Sequence, residues 1–400
     1  MKKTKILIIN TLYYPNVVGG AEKSVQLLAE KISSENIEPI IVSTYLQDYV
    51  DYVNNIKVYY LHHRNLHWIN ESNIQTSLLK KGLWNLVDIY NSKMFKKLEE
   101  IIQVEKPDVI HTNNLKGFSI VPWIVAKKYS LPVIHTLRDY SIMCPKSTMF
   151  KNNRNCLKRC LVCSLFTEFK RKLSNAGYVD LLIGNSNFMI AKHKELGFFK
   201  NVPSKRIFNG TEIISQINNV DRDIDNNKPL KFFYMGRIEE TKGVNLLIET
   251  FEKIPQAELI LAGRIYDEEI QQRVERNLYP NNIKFLGYIN PKEILPNIDV
   301  LIAPSLWHEP LPRVILEAYS YGKLVIGSNR GGIPECIEEK KTGFIFNPDV
   351  KDDLRKIILY IINNRHLLKQ NNSYLKSYLK QFDIKLTSEQ YIKAYQSLLK

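Results

Sequence analysis

The chain has 400 residues, 44% of them hydrophobic and 24% charged, with a net charge of +15. That length suits two domains of ordinary size, ~100–200 residues each, and the composition excludes a disordered chain. Its longest apolar runs, near residues 5–9 and 300–303, fall far short of the ~20 residues of a spanning helix. The charge excess is one-sided: residues 1–210 hold 30 Lys and Arg against 16 Asp and Glu, the remainder 26 against 25. A basic half of this kind either faces an anionic partner, such as a membrane surface or a phosphate-bearing acceptor, or is a lysine-rich composition without a target. Lys2 and Lys3 lead directly into a strand pattern and a glycine turn rather than a cleavage site, so the expected location is cytoplasmic.

Residues 5–10, Lys-Ile-Leu-Ile-Ile-Asn, read as a parallel strand buried on both faces. Gly19 and Gly20 follow, then Val25, Leu28, Ala29 and Ile32 at helical spacing, completing a strand, glycine loop and helix. Strand-like runs recur at 39–43, 109–111, 132–136 and 181–184 with helical stretches between them. The alternation predicts a doubly wound sheet. Residues 211–228, with Asp221, Asp223 and Asp225, lose all apolar periodicity and read as a linker. A second series of strands is expected at 230–235, 258–262, 283–286, 300–303, 324–327 and 343–346. A final helix near 388–399 carries Tyr391, Ala394, Tyr395 and Leu398 on one face.

Three places carry chemistry. Gly19-Gly20 precedes a helix, where free backbone N–H groups can receive an anion, although such a pair is equally a simple turn. Gly236 and Arg237 end a strand, with Lys242-Gly243 a few residues on. A guanidinium fork and an ammonium at the carboxyl edge of a sheet suit a diphosphate, the alternative being a surface pair of Arg237 with Glu239 or Glu240. The stretch from Glu309 to Glu317, Glu-Pro-Leu-Pro-Arg-Val-Ile-Leu-Glu, opens a helix at its prolines and spaces two carboxylates eight residues apart. The spacing places one at the helix mouth and the other about two turns along, a separation of at most ~12 Å that suits the hydroxyls of a sugar and a ribose.

These residues together resemble glycosyltransferase family 4 over nearly the whole chain. Gly19-Gly20-Ala21-Glu22 is similar to its glycine loop, Phe208-Asn209-Gly210 to its interdomain signature, Gly236-Arg237 with Lys242-Gly243 to its diphosphate clamp, and Glu309 and Glu317 to its paired glutamates. Gly331-Gly332-Ile333-Pro334-Glu335 resembles its next loop. The resemblance implies an α/β GT-B fold: two Rossmann-like parallel-sheet domains, 1–210 and 229–384, facing a central cleft, with 385–400 crossing back to the first. It implies a retaining transfer from a UDP- or GDP-sugar to a saccharide or lipid-linked acceptor in polysaccharide synthesis, with no cofactor for the transfer step. Glu309 would contact the sugar, Glu317 the ribose, and Arg237 and Lys242 the leaving diphosphate; Gly19, Gly20, Gly236 and Leu311 join the donor site. Asp139 matches a catalytic aspartate. The family's usual histidine before it is replaced by Arg138, expected to contact sugar or phosphate, while strand alternation points His135 to the other face. A sugar-nucleotide epimerase, a phosphorylase and a non-catalytic scaffold on the same fold remain alternatives.

Four of five cysteines fall at Cys144, Cys156, Cys160 and Cys163. Such a cluster in a cytoplasmic chain suits structural zinc, with free thiols, a disulfide or an iron–sulfur site as alternatives. Residues 146–172 hold eight Lys and Arg against Glu168 alone, interleaved with Phe150, Leu165, Phe166 and Phe169. An anionic bilayer or lipid diphosphate fits this insert better than nucleic acid, and places the chain on the inner face of the membrane.

Overall fold

The computed structural model describes residues 3–34, 36–70, 77–213, 228–369 and 372–399. The chain forms two compact units: Met1–Met149 with Cys156–Gly210 and Asp383–Lys400, and Phe150–Asn155 with Thr211–Phe382. Most of the expected linker, residues 214–227, lies outside the described residues.

The first unit is built on β1 (Thr4–Ile9), β2 (Ile37–Tyr45), β3 (Tyr49–Val53), β4 (Ile56–His62), β5 (Val109–Thr112) and β6 (Val133–Leu137). After a short hairpin of β7 (Phe150–Lys151) and β8 (Arg154–Asn155), which belongs to the second unit, come β9 (Leu181–Gly184) and β10 (Ser204–Arg206). They form one eight-stranded sheet in the order β10-β9-β6-β5-β1-β2-β4-β3. Every neighbour is parallel except β3, which runs antiparallel to β4. The β3–β4 hairpin was not legible as strands in the apolar pattern, because β3 is an edge strand with exposed Val50 and Tyr52. Its turn was written in the sequence all the same: Asn54 and Asn55 both take left-handed backbone (φ 48° and 64°), the two-residue connection that matches strand twist.

Ile6, Leu7, Ile8 and Ile9 of β1 are fully buried, as a strand covered on both faces requires. The Gly20–Ile32 helix lays Val25, Leu28, Ala29 and Ile32 on the sheet. The Ile384–Leu398 helix adds Tyr391, Ala394 and Tyr395 to the same core. Gly210 leaves room for that helix, since a Cβ there would stand 2.7 Å from the Cα of Ile384.

The second unit carries β11 (Leu230–Met235), β12 (Ala257–Ala262), β13 (Ile283–Phe285), β14 (Val300–Ala303), β15 (Leu324–Ser328) and β16 (Gly343–Phe346). All are parallel, in the order β13-β12-β11-β14-β15-β16. Each lies within one residue of the run read from the sequence. Sequence order grows outward from β11 in one direction and from β14 in the other, so the topological switch falls between these two strands. A doubly wound sheet binds its ligands beyond the carboxyl ends of such a pair.

The first sheet buries three histidines. His111 Nδ1 meets Tyr395 Oη at 2.9 Å and its Nε2 meets Thr136 Oγ1 at 2.8 Å, while His135 Nδ1 meets Thr112 Oγ1 at 2.9 Å. Burial drives His111 well below the usual imidazole range, helped by Arg138, and holds His135 at about 3 and His193 at about 4. Folding therefore keeps these rings neutral where the unfolded chain would protonate them. Their contribution is complete above pH ~6.5 and is lost as pH falls toward the folded values, by about 1.4 kcal/mol per pH unit for each ring. Thermal melts between pH 7 and pH 4.5 should show Tm falling steadily below pH ~6.5, and His135→Gln should flatten part of that slope.

Candidate functional site

The loops that leave β11 and β14 are joined at the switch point. Leu306 and Trp307 donate their N–H groups to the Thr241 carbonyl at 3.0 and 3.2 Å. Ser328 Oγ at the end of β15 holds the Ser305 carbonyl at 2.7 Å. Glu309 stands in the second of these loops. Its Oε1 accepts from Lys242 Nζ, from Ser305 Oγ at 2.9 Å and from Trp307 Nε1 at 3.2 Å. Lys242 also lies over the Trp307 ring, 5.1 Å from its centroid. Charge-assisted hydrogen bonds of this kind contribute about 1.5–3 kcal/mol each, so the carboxylate is fixed in one orientation.

Glycines let the loops approach. At Gly331, with φ 60°, a Cβ would meet the Glu309 carbonyl oxygen at 2.1 Å, and the next residue, Gly332, donates its N–H to that oxygen at 2.7 Å. Gly331 itself donates to His308 Nδ1 at 3.0 Å. Gly243, with φ 74°, leaves no room for a side chain against the Pro304 carbonyl, where a Cβ would stand 2.0 Å away. The sequence motifs at 242–243 and 331–332 thus serve the placement of Lys242 and Glu309.

Arg237 follows Gly236 at the end of β11 and pairs with Glu239 at 3.0 Å, with nearly half of its side chain exposed. Glu239 is held in turn by Thr241 Oγ1 at 2.6 Å. Leu311 is buried in the Glu309 loop. The helix begins only at Arg313, with Pro312 as its cap. Glu309 therefore precedes the helix and Glu317 lies in its second turn beside Arg313 at 3.7 Å, which corrects the expected two-turn helical separation. Two successive trans prolyl-type constraints at 310 and 312 keep the intervening chain extended, so helical rise does not apply to it.

Sequence reasoning missed Asn155. Its amide donates to the Leu306 carbonyl at 2.7 Å and its carbonyl accepts from His308 N–H at 2.9 Å, propping both sides of Trp307. No local signal marks it, because its partners lie about 150 positions away.

In the first unit Gly19 caps the Gly20–Ile32 helix, and its N–H is taken at 2.8 Å by the Glu22 carboxylate, which burial raises above the usual range. Gly20 opens the helix, and its carbonyl accepts Ser24 Oγ at 2.7 Å. Arg138 is buried at the end of β6. Its Nε donates to Asn113 Oδ1 and its Nη1 to Asn209 Oδ1, each at 2.7 Å, so most of its fork is committed within the unit. Asp139 is partly buried; Ser141 holds its Oδ1 through N–H at 2.8 Å and Oγ at 2.6 Å, while desolvation raises its carboxyl. His135 packs on Phe199 and Trp123 and serves the core.

Of the four cysteines of the zinc reading, Cys163 lies against both Cys144 and Cys160. Cys144 is buried in the loop after β6, where Cys163 and the backbone N–H groups of Met149, Lys146 and Thr148 hold its thiol below the usual range. Cys160 is exposed as the N-cap of the Leu161–Ser174 helix, and Cys156 is only partly covered. Among the described residues no group of three or more His, Cys, Asp or Glu is placed to hold a metal ion.

Gly331→Ala tests the loop geometry. A side chain there combines left-handed strain of about 1–3 kcal/mol with a clash on the Glu309 backbone. The variant should melt several degrees lower, whereas Gly287→Ala, with φ 67° but open space around it, should cost no more than the strain.

The model of the family described as "Glycosyl transferases group 1" matches residues 217–379. A Klebsiella pneumoniae protein described as an uncharacterized 42.6 kDa protein in the cps region is 33% identical over 349 residues, 87% of this chain and 91% of its own length. Among solved structures, Anabaena Alr3699/HepE in complex with UDP superposes with a TM-score of 0.72 at 21% identity, over 98% of this chain and 100% of that one. The lipopolysaccharide outer core galactosyltransferase WaaB gives 0.67 at 18% identity, over 98% and 99%. The two parallel sheets are the Rossmann-like halves of a GT-B architecture, and the chain belongs to the group 1 glycosyl transferases.

Proposed function

We propose that the protein is a retaining transferase that moves a sugar from a UDP- or GDP-sugar to a hydroxyl of a saccharide or lipid-linked acceptor, in cell-surface polysaccharide synthesis on the cytoplasmic side of the membrane. The observation that carries this reading is the Glu309 carboxylate held by Lys242, Ser305 and Trp307 where the sheet order reverses. UDP in the HepE complex and the cps-region origin of the Klebsiella relative support the donor class and the pathway class.

As the bond from the anomeric carbon to the diphosphate breaks, negative charge gathers on the departing phosphate. Arg237 and Lys242 are the cations at the strand ends that meet it, so the reading includes no cofactor for the transfer step. Each is paired with a carboxylate, Arg237 with Glu239 and Lys242 with Glu309. A diphosphate carries more charge than either carboxylate and draws both cations toward it. Glu309 then turns its acceptor capacity to the sugar hydroxyls, with Ser305 and Trp307 still fixing its direction. Glu317 is assigned to the ribose. On the first unit, Asp139 and the Arg138 cluster are assigned to the acceptor side.

Glu309→Gln should lower kcat by at least about 100-fold with the fold retained and Tm lower by a few degrees, since the amide keeps an acceptor oxygen for Ser305 and Trp307 but leaves Lys242 without its carboxylate. Arg237→Ala should weaken UDP or GDP binding about tenfold in calorimetry, a loss of about 1.4 kcal/mol. Undiminished transfer by the first variant, or product formation without any acceptor, would overturn the reading; the anomeric configuration of the product, read by NMR, tests retention.

A further inference from the structure

The Leu161–Ser174 helix has its polarity reversed. Its buried residues are Thr167, Lys170 and Ser174, while Leu161, Leu165 and Phe169, spaced four apart, face outward at 89%, 69% and 40% exposure. The Leu78–Val87 helix buries Trp84 and leaves Leu78 and Leu79 86% and 82% exposed, with Leu83 and Leu86 half exposed beside them. A helix normally turns its apolar stripe to the core, so outward stripes on two helices mark a second apolar medium.

The two helices are neighbours in the first unit. Asn85 of the earlier helix lines the same small cavity as Phe166, Thr167 and Lys170 of the later one. Asp88, which caps the earlier helix, pairs with Lys170 at 3.1 Å. Around the leucines stand Lys80, Lys81, Lys158 and Lys172, all exposed and none paired with a described carboxylate. The basic excess of the chain is concentrated in this unit.

We propose that this helix pair is a membrane-docking surface that seats the first unit on an anionic bilayer, with the leucines entering the acyl boundary and the lysines resting on the headgroups. Apolar residues flanked by cations on helices too short to span are the pattern of an interfacial anchor, and no described helix is long and apolar enough to cross a membrane. A second protein copy would bury the leucines but would bring these lysines against their own like charges, whereas an anionic lipid surface neutralises them. The proposal deepens the lipid-linked-acceptor reading and rests on it only for what the membrane presents; its test needs neither donor nor acceptor.

Flotation of the full chain with vesicles of phosphatidylglycerol and phosphatidylcholine, and with phosphatidylcholine alone, reads the surface directly. The protein should float with the anionic vesicles, and the bound fraction should fall at least about tenfold in Leu161→Asp/Leu165→Asp and in Leu79→Asp/Leu83→Asp. Lys80→Glu/Lys81→Glu should weaken binding to anionic vesicles and remove most of its salt dependence. All three variants change exposed positions, so their melting should match the parent. Failure of the parent to float, or equal flotation of the leucine variants, overturns the proposal. So does a stable dimer in light scattering that Leu161→Asp/Leu165→Asp dissociates, since a second copy would then be the occupant. Loss of flotation with transfer to a water-soluble acceptor intact leaves the catalytic reading standing; the reverse pattern leaves the docking surface standing.

Discussion

Everything in the second unit is arranged so that one carboxylate has a fixed direction. Glu309 is not on a regular element, and a loop glutamate would ordinarily sample several rotamers at little cost. Here three donors converge on one of its oxygens, and two of them, Ser305 and Trp307, are its own near neighbours in the loop. The third reaches it from the loop of the adjacent strand. That arrangement is possible only because β11 and β14 pair directly although β12 and β13 lie between them in sequence. The strand order is therefore the cause of the site, and the glycines at 243 and 331 are the local adjustments that let its loops touch.

The first unit solves a different problem. Beneath the Ile384–Leu398 helix a polar layer of His111, Thr136, Tyr391 and Tyr395 is buried without charge, each hydroxyl or ring nitrogen finding a partner among the others. Arg138 is placed against this layer; its Nε and Nη1 donate to two asparagine carbonyls, and burial lowers it from the usual guanidinium range although Tyr391, Tyr395 and Glu22 act in the other direction. A buried guanidinium with neutral acceptors and a nearby carboxylate is a rigid object. Arg138 thus ties three separate segments, Asn113 after β5, Asn209 after β10 and its own loop, into one frame around Asp139.

The parts legible in the sequence were those fixed by short-range pattern. Isoleucine-rich runs gave the central strands of both sheets almost to the residue, because a strand covered on both faces admits little else. The edge hairpin β3–β4 escaped, since one face of it meets water and its pattern is mixed; only Asn54-Asn55 announced it. At the site, Lys242 and Glu309 were identifiable as residues but their mutual ion pair was not, because sequence spacing carries no information about which loops a strand order brings together. The same limit hid Asn155, and it made the 309–317 spacing misleading, since prolines set an extended path before the helix starts.

The reversed helix also has an internal explanation for why it does not simply roll over to bury its leucines. Asp88 is buried, with its Oδ1 taken at 2.7 Å by the Gly117 N–H and its Oδ2 by Lys170. Rotating the Leu161–Ser174 helix by half a turn would cover Leu161 and Leu165 but withdraw Lys170, leaving a buried carboxylate with a single backbone donor. Removing one partner of such a pair costs about 3–5 kcal/mol, which offsets most of the roughly 3–6 kcal/mol gained by burying two leucines. The rotation would also take Thr167 Oγ1 from the Met143 carbonyl at 3.4 Å and Ser174 Oγ from the Phe199 N–H at 3.3 Å. The ion pair therefore fixes the azimuth of the helix, and the outward leucines are a consequence of the fold that the chain retains rather than a face left unfinished.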